Sequence, residues 1–343
     1  MKSKNYFFLA GLFLLAGCNS STNSQPNNSG ISIIFETDMG NDVDDALALD
    51  ILYKYSDMGI VNLLGISTNK DSPYSIEFLD LLNTWYGYSD VAIGKITKGP
   101  DCENDATNYA KVTCLYEENG KSPFKRTYTD YGKIPEAPLF YRELLAKQPD
   151  NSVVVVSTGF STNIARLLDT QPDQFSPLTG KELVAKKVKL LSMMAGNMVD
   201  STMKEYNVVK DIQAAQKIFN EWPTPIVTSP FEVGIAILFP ATVIENNLAY
   251  ATPNPLKIAY ESYLEMPYDR PTWDLTAVLY AVEDTKDYFS ISEWGRIEAD
   301  DEAHTLFYPD ENGKHAYLSV NKEQVESVKN RLVELVSMKP KNK

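Results

Sequence analysis

The sequence predicts a single α/β domain with a mainly parallel β-sheet flanked by helices on both faces. Apolar runs of strand length alternate with helical segments through most of the 343 residues, which is typical of strand–helix–strand units. The run Val153 to Val156 is apolar without interruption, as expected of a strand buried on both faces. Residues 31–343 contain neither an internal repeat nor a convincing linker. One domain is therefore predicted for this range.

The individual elements follow from the same patterns. Strands are expected at residues 31–35, 61–66, 91–94, 153–156, 188–194 and 225–228, and helices from near residue 44 and at 76–86, 214–219, 256–264, 274–282 and 322–336. Residues 304–307 and 316–319 are expected to pair as a β-hairpin. Residues 98–138 are polar, rich in tyrosine and aperiodic. Loops of this length in a compact domain are often functional.

Residues 1–17 resemble a bacterial lipoprotein signal peptide. Lys2 and Lys4 precede an apolar stretch that is too short to span a membrane, and the stretch ends in Leu15-Ala16-Gly17-Cys18. Cys18 is then the lipidated first residue of the mature chain, and the Asn- and Ser-rich residues 18–30 form a flexible tether. We therefore expect the protein in the bacterial cell envelope, periplasmic or at the cell surface, attached to a membrane through the lipid on Cys18.

The charge of the chain argues against nucleic acid as a partner. The formal net charge is −14, and it becomes more negative once Lys2 and Lys4 are removed with the signal peptide. A strongly acidic surface repels nucleic acids and anionic lipids. The oligomeric state is not fixed by the sequence, and a homo-oligomer is left open.

Besides Cys18, the chain contains Cys102 and Cys114, which flank an irregular polar segment. In a chain that leaves the reducing cytoplasm, this arrangement favours a disulfide between them. Catalytic thiol chemistry is disfavoured, because the two histidines, His304 and His315, lie far away near the C-terminus.

Four aspartates follow the first predicted strand within eight residues, at positions 38, 42, 44 and 45. We expect Gly40 at a turn where a Cβ does not fit, and a helix beginning near Asp44, with Asp44 as its N-cap. A helix N-terminus offsets only part of this negative charge. Calcium prefers such closely spaced carboxylate oxygens as ligands. A metal site is therefore favoured over the alternative of a solvated acidic loop.

Polar loops follow four of the predicted strands, at residues 38–45, 67–72, 158–159 and 194–207. In open α/β sheets, ligands bind in the crevice outside the carboxyl ends of the strands. These loops therefore predict one acidic, oxygen-rich crevice. Phosphate is a poor fit, because the chain has no Gly-rich loop with Lys and Ser or Thr. A neutral polyol such as a sugar fits better.

Five segments resemble, in order, the motifs of the inosine-uridine preferring nucleoside hydrolase family. These are Glu36-Thr37-Asp38-Met39-Gly40 with Asp44-Asp45-Ala46-Leu47, Ser157-Thr158-Gly159-Phe160-Ser161-Thr162-Asn163, Met194-Ala195-Gly196-Asn197, Glu205-Tyr206-Asn207 and Arg270-Pro271-Thr272-Trp273-Asp274. The resemblance covers most of the folded chain. It implies a nucleoside hydrolase-like α/β domain that hydrolyses the N-glycosidic bond of ribonucleosides with calcium.

The resemblance also implies roles for individual residues. Calcium would be held by Asp38, Asp45, the carbonyl of Thr158 and Asp274, and Asp38 would be the general base toward the attacking water. The ribose would be bound by Asp44, Asn69, Met194, Glu205 and Asn207. Carboxylates around the ring would stabilise an oxocarbenium-like transition state. For Glu205 and Asn207, the alternative is that they satisfy backbone groups of a loop.

The aspartate loop departs from the family pattern because it is two residues longer. Counting from Asp38 places Asp42 at the ribose, whereas counting back from the helix places Asp44 there. We favour Asp44, because the start of the helix fixes its direction, and Asp42 stays a candidate.

The residue before Asp274 is Trp273, where many family members have a histidine that protonates the leaving base. A tryptophan at this position resembles a purine-preferring subgroup of the family, in which the base stacks between aromatic rings. The alternative is a tryptophan packed in the core. A second ring could come from the tyrosine-rich loop, for example Tyr128 or Tyr131. The base preference is left open.

Two other functions remain compatible with the sequence. One is a glycosidase of the same fold that acts on a non-nucleoside ribosyl or glycosyl compound. The other is a non-catalytic lipoprotein that binds a sugar or nucleoside with calcium. Glu232 and Arg270 lie near the site loops, and for both an ion-pair role alone stays open.

Overall fold

The computed structural model describes residues 1, 30–100, 108–283 and 286–343. The predicted signal peptide, the lipidation site Cys18, nearly all of the predicted tether and Cys102 lie outside the described residues. Cys114 is buried, with its thiol 3.9 Å from the carbonyl oxygen of Tyr74. The anchor, the tether and the disulfide therefore stay predictions. Within the described ranges, no helix combines the length and the apolar character needed to cross a membrane.

Strands and helices alternate along the chain, as predicted. The strands are β1 (Ile31–Thr37), β2 (Val61–Thr68), β3 (Ala92–Gly94), β4 (Val153–Thr158), β5 (Val188–Met194), β6 (Ile226–Ser229), β7 (Leu238–Phe239), β8 (Arg270–Pro271), β9 (Ser290–Ile291), β10 (Gly295–Ala299), β11 (Thr305–Pro309) and β12 (His315–Ser319). The helices are α1 (Asp44–Asp57), α2 (Pro73–Tyr86), α3 (Tyr109–Cys114), α4 (Ala137–Ala146), α5 (Thr162–Leu168), α6 (Gly180–Lys187), α7 (Tyr206–Lys210), α8 (Ile212–Glu221), α9 (Phe231–Ala236), α10 (Ala241–Asn247), α11 (Pro255–Tyr263), α12 (Trp273–Val282) and α13 (Lys322–Ser337).

One central sheet organises the domain. Its strand order is β11-β10-β12-β6-β5-β4-β1-β2-β3, and every pair from β12 to β3 is parallel. Antiparallel pairs occur at one edge, where β10 pairs with β11 and β12, and β9 with β12. The predicted fold class, a mainly parallel sheet in a single α/β domain, is confirmed.

Both faces of the sheet are covered because successive residues of each buried strand point to opposite sides. In β1, Ile33 and Phe35 belong to one buried cluster, which also contains α1, α2, α12 and α13. Ile34 belongs to a second cluster, on the face covered by α4, α5, α6 and α8. The uninterrupted apolar runs of the sequence therefore correspond to the central strands.

Three local predictions are wrong. Residues 304–307 and 316–319 do not form a hairpin, because β10 pairs with both β11 and β12 and separates them. Asp44 is the first residue of α1 and not its N-cap, which is Val43. The segment 98–138, expected to be aperiodic, contains the short helix α3, whose N-cap is the Asn108 side chain. The pairing of β10 and the hydrogen bond from the Asp274 backbone to Asp44 join segments far apart in sequence, whereas α3 is capped locally.

Candidate functional site

A cavity of about 380 Å³ opens at the carboxyl edge of the sheet. Here β1 has β2 on one side and β4 on the other, so the strand order switches at this point, where α/β proteins bind ligands. Most of the predicted site residues line this cavity: Asp38, Asp42, Asp44, Asp45, Met194, Glu205, Asn207, Trp273 and Asp274.

Four further residues line the cavity and were not among the predicted ones: Asn41, Tyr206, Phe231 and Tyr263. Asn41 lies in the aspartate loop, and Tyr206 lies between the predicted residues Glu205 and Asn207. Phe231 begins α9 directly after β6, so the rule that ligands lie beyond strand ends would have found it. Tyr263 ends α11, and no pattern in the sequence singles it out.

The turn after β1 has the backbone geometry that the sequence indicated. Gly40 has a φ of +100°, which L side chains rarely adopt, and its N–H donates to the hydroxyl of Tyr109 at 2.8 Å. On the neighbouring strand, Gly159 also has a positive φ, and a Cβ there would lie 2.8 Å from the Asp38 backbone nitrogen. Only a glycine allows the β4 loop to approach Asp38 this closely.

Three buried carboxylates meet at the floor of the cavity. Ligand oxygens of Asp44, Asp45 and Asp274 lie within 4.8 Å of one another, although α12 and α1 are far apart in sequence. Asp44 fixes their arrangement, because its Oδ2 accepts a hydrogen bond from the backbone N–H of Asp274 at 3.0 Å. Asp45 Oδ1 accepts from the hydroxyls of Thr37 and Thr158, whereas Asp45 Oδ2 is buried without a hydrogen-bond partner.

Burial and mutual repulsion raise the pKa of each of these carboxyls. For Asp44, Asp45 and Asp274, desolvation is the largest cause, and neighbouring aspartates add to it. The pKa of Asp38 is raised to about 6, mainly by burial, and the hydrogen bond from Asn41 opposes this shift. Asn41 Nδ2 lies 2.6 Å from Asp38 Oδ2. Lys70 opposes the shift of the Asp38 pKa and Arg270 that of the Asp44 pKa, but burial outweighs both.

These residues fit a hard divalent cation. The donors are all oxygens, and the unpartnered Asp45 Oδ2 provides a free acceptor among like charges. Of the predicted ligands, Asp45 and Asp274 belong to this cluster, and Asp38 lines the same cavity. Asp44, predicted for the ribose, lies in the cluster as well.

Two predicted residues do not line the cavity. The carbonyl of Thr158 accepts the backbone N–H of Asp38 at 3.1 Å. Asn69 is fully buried, and neither polar atom of its side chain has a hydrogen-bond partner. Its role toward ribose, and that of Thr158 toward calcium, stay predictions.

Glu205 has a structural function within the site. It is the N-cap of α7, and its carboxylate accepts backbone N–H groups from Asn207 (2.8 Å), Gly196 (3.1 Å) and Val208 (3.2 Å). Burial nevertheless raises its pKa to about 7. Asn207 in turn donates from Nδ2 to the carbonyl of Met194 at 3.2 Å. The predicted alternative, that both residues satisfy loop backbone, is thus part of their role.

Aromatic side chains form another wall of the cavity. Trp273 Nε1 donates to the carbonyl of Phe231 at 2.9 Å, and the two rings lie 5.5 Å apart. Tyr263 lines the same cavity. Tyr128 and Tyr131, suggested as the second ring, do not line it. Tyr131 instead donates its hydroxyl to Asp80 at 2.9 Å. Trp273 is therefore a cavity residue with aromatic neighbours from α9 and α11.

Asp42 is engaged in an ion pair with Arg270. The guanidinium Nε lies 2.9 Å from Asp42 Oδ1, and Nη2 contacts Asp42 Oδ2. Asp44 has no such cation partner among the described residues. Both aspartates line the cavity, and the preference for Asp44 over Asp42 at the ribose stays a prediction.

The fold and this cavity define an α/β protein with an acidic site beside an aromatic wall. The profile of the inosine-uridine preferring nucleoside hydrolases matches residues 33–329, and the chain belongs to this family. No curated protein sequence matches it.

Solved structures share the fold at low sequence identity. A plant nucleoside hydrolase has a TM-score of 0.67 at 17% identity, with 89% of this chain and 98% of the plant chain covered. A purine-preferring ribonucleoside hydrolase from Gardnerella vaginalis has a TM-score of 0.67 at 18% identity, with coverages of 89% and 99%. An inosine-uridine preferring nucleoside hydrolase from Bacillus anthracis has a TM-score of 0.65 at 16% identity, with the same coverages.

Proposed function

We propose that this protein hydrolyses the N-glycosidic bond of ribonucleosides to free base and ribose, with calcium as its cofactor. The family and the fold support N-glycosidic hydrolysis of nucleosides in general. The observation that carries the finer proposal is the convergence of Asp44, Asp45 and Asp274 in one cavity with Asp38 and an aromatic wall.

Calcium is favoured by the ligand chemistry. Asp38, Asp45, Asp274 and the carbonyl of Thr158 would hold it, and Asp44 lies close enough to join them. A bound divalent cation lowers the pKa of a coordinated water. Histidine and cysteine, which zinc prefers, are absent from the cavity lining.

Asp38 is suited to act as the general base. With a pKa raised to about 6, its carboxyl is largely ionised at neutral pH and remains basic enough to accept a proton from water. The hydrogen bond from Asn41 to Asp38 Oδ2 fixes the orientation of the carboxylate. The remaining carboxylates would stabilise positive charge that develops on the ribosyl ring.

Glu205 and Asn207 are suited to bind sugar hydroxyls. An ionised carboxylate offers about four acceptor positions, two on each oxygen. In Glu205, N–H groups occupy three of these positions, two on Oε2 and one on Oε1. Oε1 therefore keeps an acceptor position for a hydroxyl. A 2′-deoxy sugar would leave such a buried group unpaired, so we expect it to be a poor substrate.

Incubation of the purified protein with calcium and a panel of ribonucleosides tests this proposal. Free base and ribose should appear, and 2′-deoxyribonucleosides should react much more slowly. Asp38→Asn is the matched variant, since it preserves the size of the side chain. The proposal fails if no ribonucleoside is cleaved, or if Asp38→Asn leaves the rate unchanged.

Two outcomes of the same assay would indicate the alternatives. Release of reducing sugar from a non-nucleoside riboside, without cleavage of nucleosides, would indicate a different glycosidase. Calcium-dependent binding without turnover, measured by calorimetry, would indicate a binding protein.

We also propose that the mature protein is anchored in the bacterial cell envelope through a lipid on Cys18. The support is the N-terminal sequence, in which Leu15-Ala16-Gly17 precedes Cys18. Metabolic labelling with a fatty acid should modify the wild type and fail to modify Cys18→Ala. Labelling that persists in Cys18→Ala would refute the anchor.

A further inference from the structure

The lengthened aspartate loop is tied to the segment before α12 by a single ion pair. Arg270 contacts both carboxylate oxygens of Asp42, across a sequence separation of 228 residues. The pair is partly shielded from solvent, with side-chain exposures of 20% for Arg270 and 25% for Asp42. Two parallel N–H···O bonds from a planar guanidinium impose a defined orientation, which a lysine ammonium cannot reproduce.

The same guanidinium contacts two aromatic residues of the cavity wall. Arg270 Nη2 lies 3.0 Å from the hydroxyl oxygen of Tyr263, and its Cζ lies 4.9 Å from the centre of the Tyr263 ring. Its distance to the centre of the Trp273 ring is 5.3 Å. Tyr263 and Trp273 line the cavity, as does Asp42, whereas Arg270 does not. Arg270 therefore lies outside the cavity lining and contacts two of the three rings of the aromatic wall.

We propose that Arg270, oriented by Asp42, is a positioning residue that holds Tyr263 and Trp273 in the wall facing the leaving base, and so contributes to base selection. This inference rests on the proposed nucleoside hydrolysis. The lengthened loop thereby acquires a function, because Asp42 belongs to it and supplies the carboxylate that fixes Arg270.

The effect should be confined to the base side of the cavity. Among the groups proposed for the sugar, backbone N–H groups hold Glu205 and the Met194 carbonyl holds Asn207. The backbone N–H of Asp44 contacts Asp42 at 3.4 Å, and this contact does not involve Arg270. Trp273 keeps its hydrogen bond to the Phe231 carbonyl without Arg270. Loss of Arg270 should therefore loosen the placement of the rings without unfolding the domain.

The test measures kcat and KM for inosine and uridine, and the inhibition constant of ribose, in Arg270→Met, Arg270→Lys and Asp42→Asn. Arg270→Met should lower kcat/KM for inosine about tenfold, chiefly through KM, and change the inosine-to-uridine ratio, because two cation–π contacts are lost. Arg270→Lys should restore little of this loss. The ribose constant should stay within about twofold, since the sugar contacts are retained.

A double variant and a matched control complete the experiment. Asp42→Asn combined with Arg270→Met should cost no more than Arg270→Met alone, because Asp42 acts through Arg270. Arg331 forms a comparable pair with Glu283, at exposures of 20% and 18%. Arg331→Met should leave the kinetics unchanged. The inference is overturned if Arg270→Met changes neither KM nor the substrate ratio, or if Arg331→Met has the same effect.

Failure of the proposed function would give a different result. If the wild type cleaves neither nucleoside, calorimetric titration with inosine replaces the kinetics. Weaker inosine binding in Arg270→Met than in Arg331→Met then supports the positioning role without hydrolysis. Equal binding in the two variants, or no binding by the wild type, overturns it.

Discussion

Helix α1 contains buried carboxylates in two places, and the charges that surround them differ. Asp50 is fully buried, and Lys54 lies 2.7 Å from its Oδ2 one turn later, while the Tyr86 hydroxyl donates to its Oδ1. In the first turn of the same helix, Asp44 and Asp45 are equally buried. They face a third carboxylate, Asp274, and within the described residues no lysine or arginine forms an ion pair with any of the three.

The difference separates a structural carboxylate from a functional one. Burying an unpaired charge is unfavourable, and the fold compensates Asp50 with its own cation. The first turn instead combines like charges, raised pKa values and the unpartnered Asp45 Oδ2. This arrangement fits the proposal that the first turn of α1 belongs to a cation site.

The largest effect should come from the carboxylate proposed as base. Asp38→Asn should lower kcat by about 10²–10⁴-fold, the usual contribution of a positioned general base. Asp38 has no cation partner within 4 Å among the described residues. The thermal stability of the Asp38→Asn protein should therefore differ little from that of the wild type. Initial rates and thermal unfolding, measured side by side, check this. A variant with normal kcat would remove Asp38 from the mechanism.

Removal of Asp50 should produce the opposite result. Asp50→Asn leaves the buried Lys54 without its counter-charge, and the free energy of unfolding should fall by about 3–5 kcal/mol. Asp45→Asn is the matched variant, since no buried cation loses a partner there. Without calcium, it should not destabilise the protein. Denaturant unfolding of both variants checks the comparison, and equal destabilisation would contradict it.

Calcium should stabilise the wild type more than Asp45→Asn. At a free concentration one hundred times the dissociation constant, the stabilisation is about 2.7 kcal/mol for a ligand that binds only the folded state. Thermal unfolding in chelator and in calcium provides the measurement. An identical rise in Tm for both proteins would show that calcium binds at a site that does not include Asp45.

A smaller effect concerns pH. In the folded state, the pKa values of Asp44, Asp45 and Asp274 are raised. The pKa of Asp38 is raised to about 6 and that of Glu205 to about 7. The stability that their protonated forms contribute is present at low pH and is lost as pH rises through these values. Calcium competes with those protons, so the calcium-induced rise in Tm should be larger at pH 7.5 than at pH 5.5. A rise of the same size at both pH values would argue against these ligands.

Much of the fold could be predicted because buried parallel strands are readable as apolar runs. The strand at residues 188–194 was predicted with its observed bounds. Strand pairing at the antiparallel edge could not be predicted, because β10 lies between β11 and β12, which follow each other in sequence. Short helices such as α3 depend on tertiary packing and a side-chain cap, which periodicity does not detect.

For the site, motif order located most of the residues that line the cavity, such as Asp274, but not their partners. The ion pair of Asp42 with Arg270 joins positions 228 residues apart, and spacing along the chain carries no information on such a contact. Tyr263 was missed for the same reason. The structure also gives Glu205 three backbone hydrogen bonds, a structural role that its motif does not reveal.

Calorimetric titration of chelator-treated protein with calcium at neutral pH tests the central claim most directly. We expect one calcium per chain, with release of protons, because burial raises the pKa of the Asp45 and Asp274 carboxyls and the ion binds their ionised forms. Asp45→Asn should bind at least tenfold more weakly, since an ionised carboxylate with an unpartnered buried oxygen is replaced by a neutral amide. No binding by the wild type, or equal binding by Asp45→Asn, would contradict the assignment of this cluster as a calcium site.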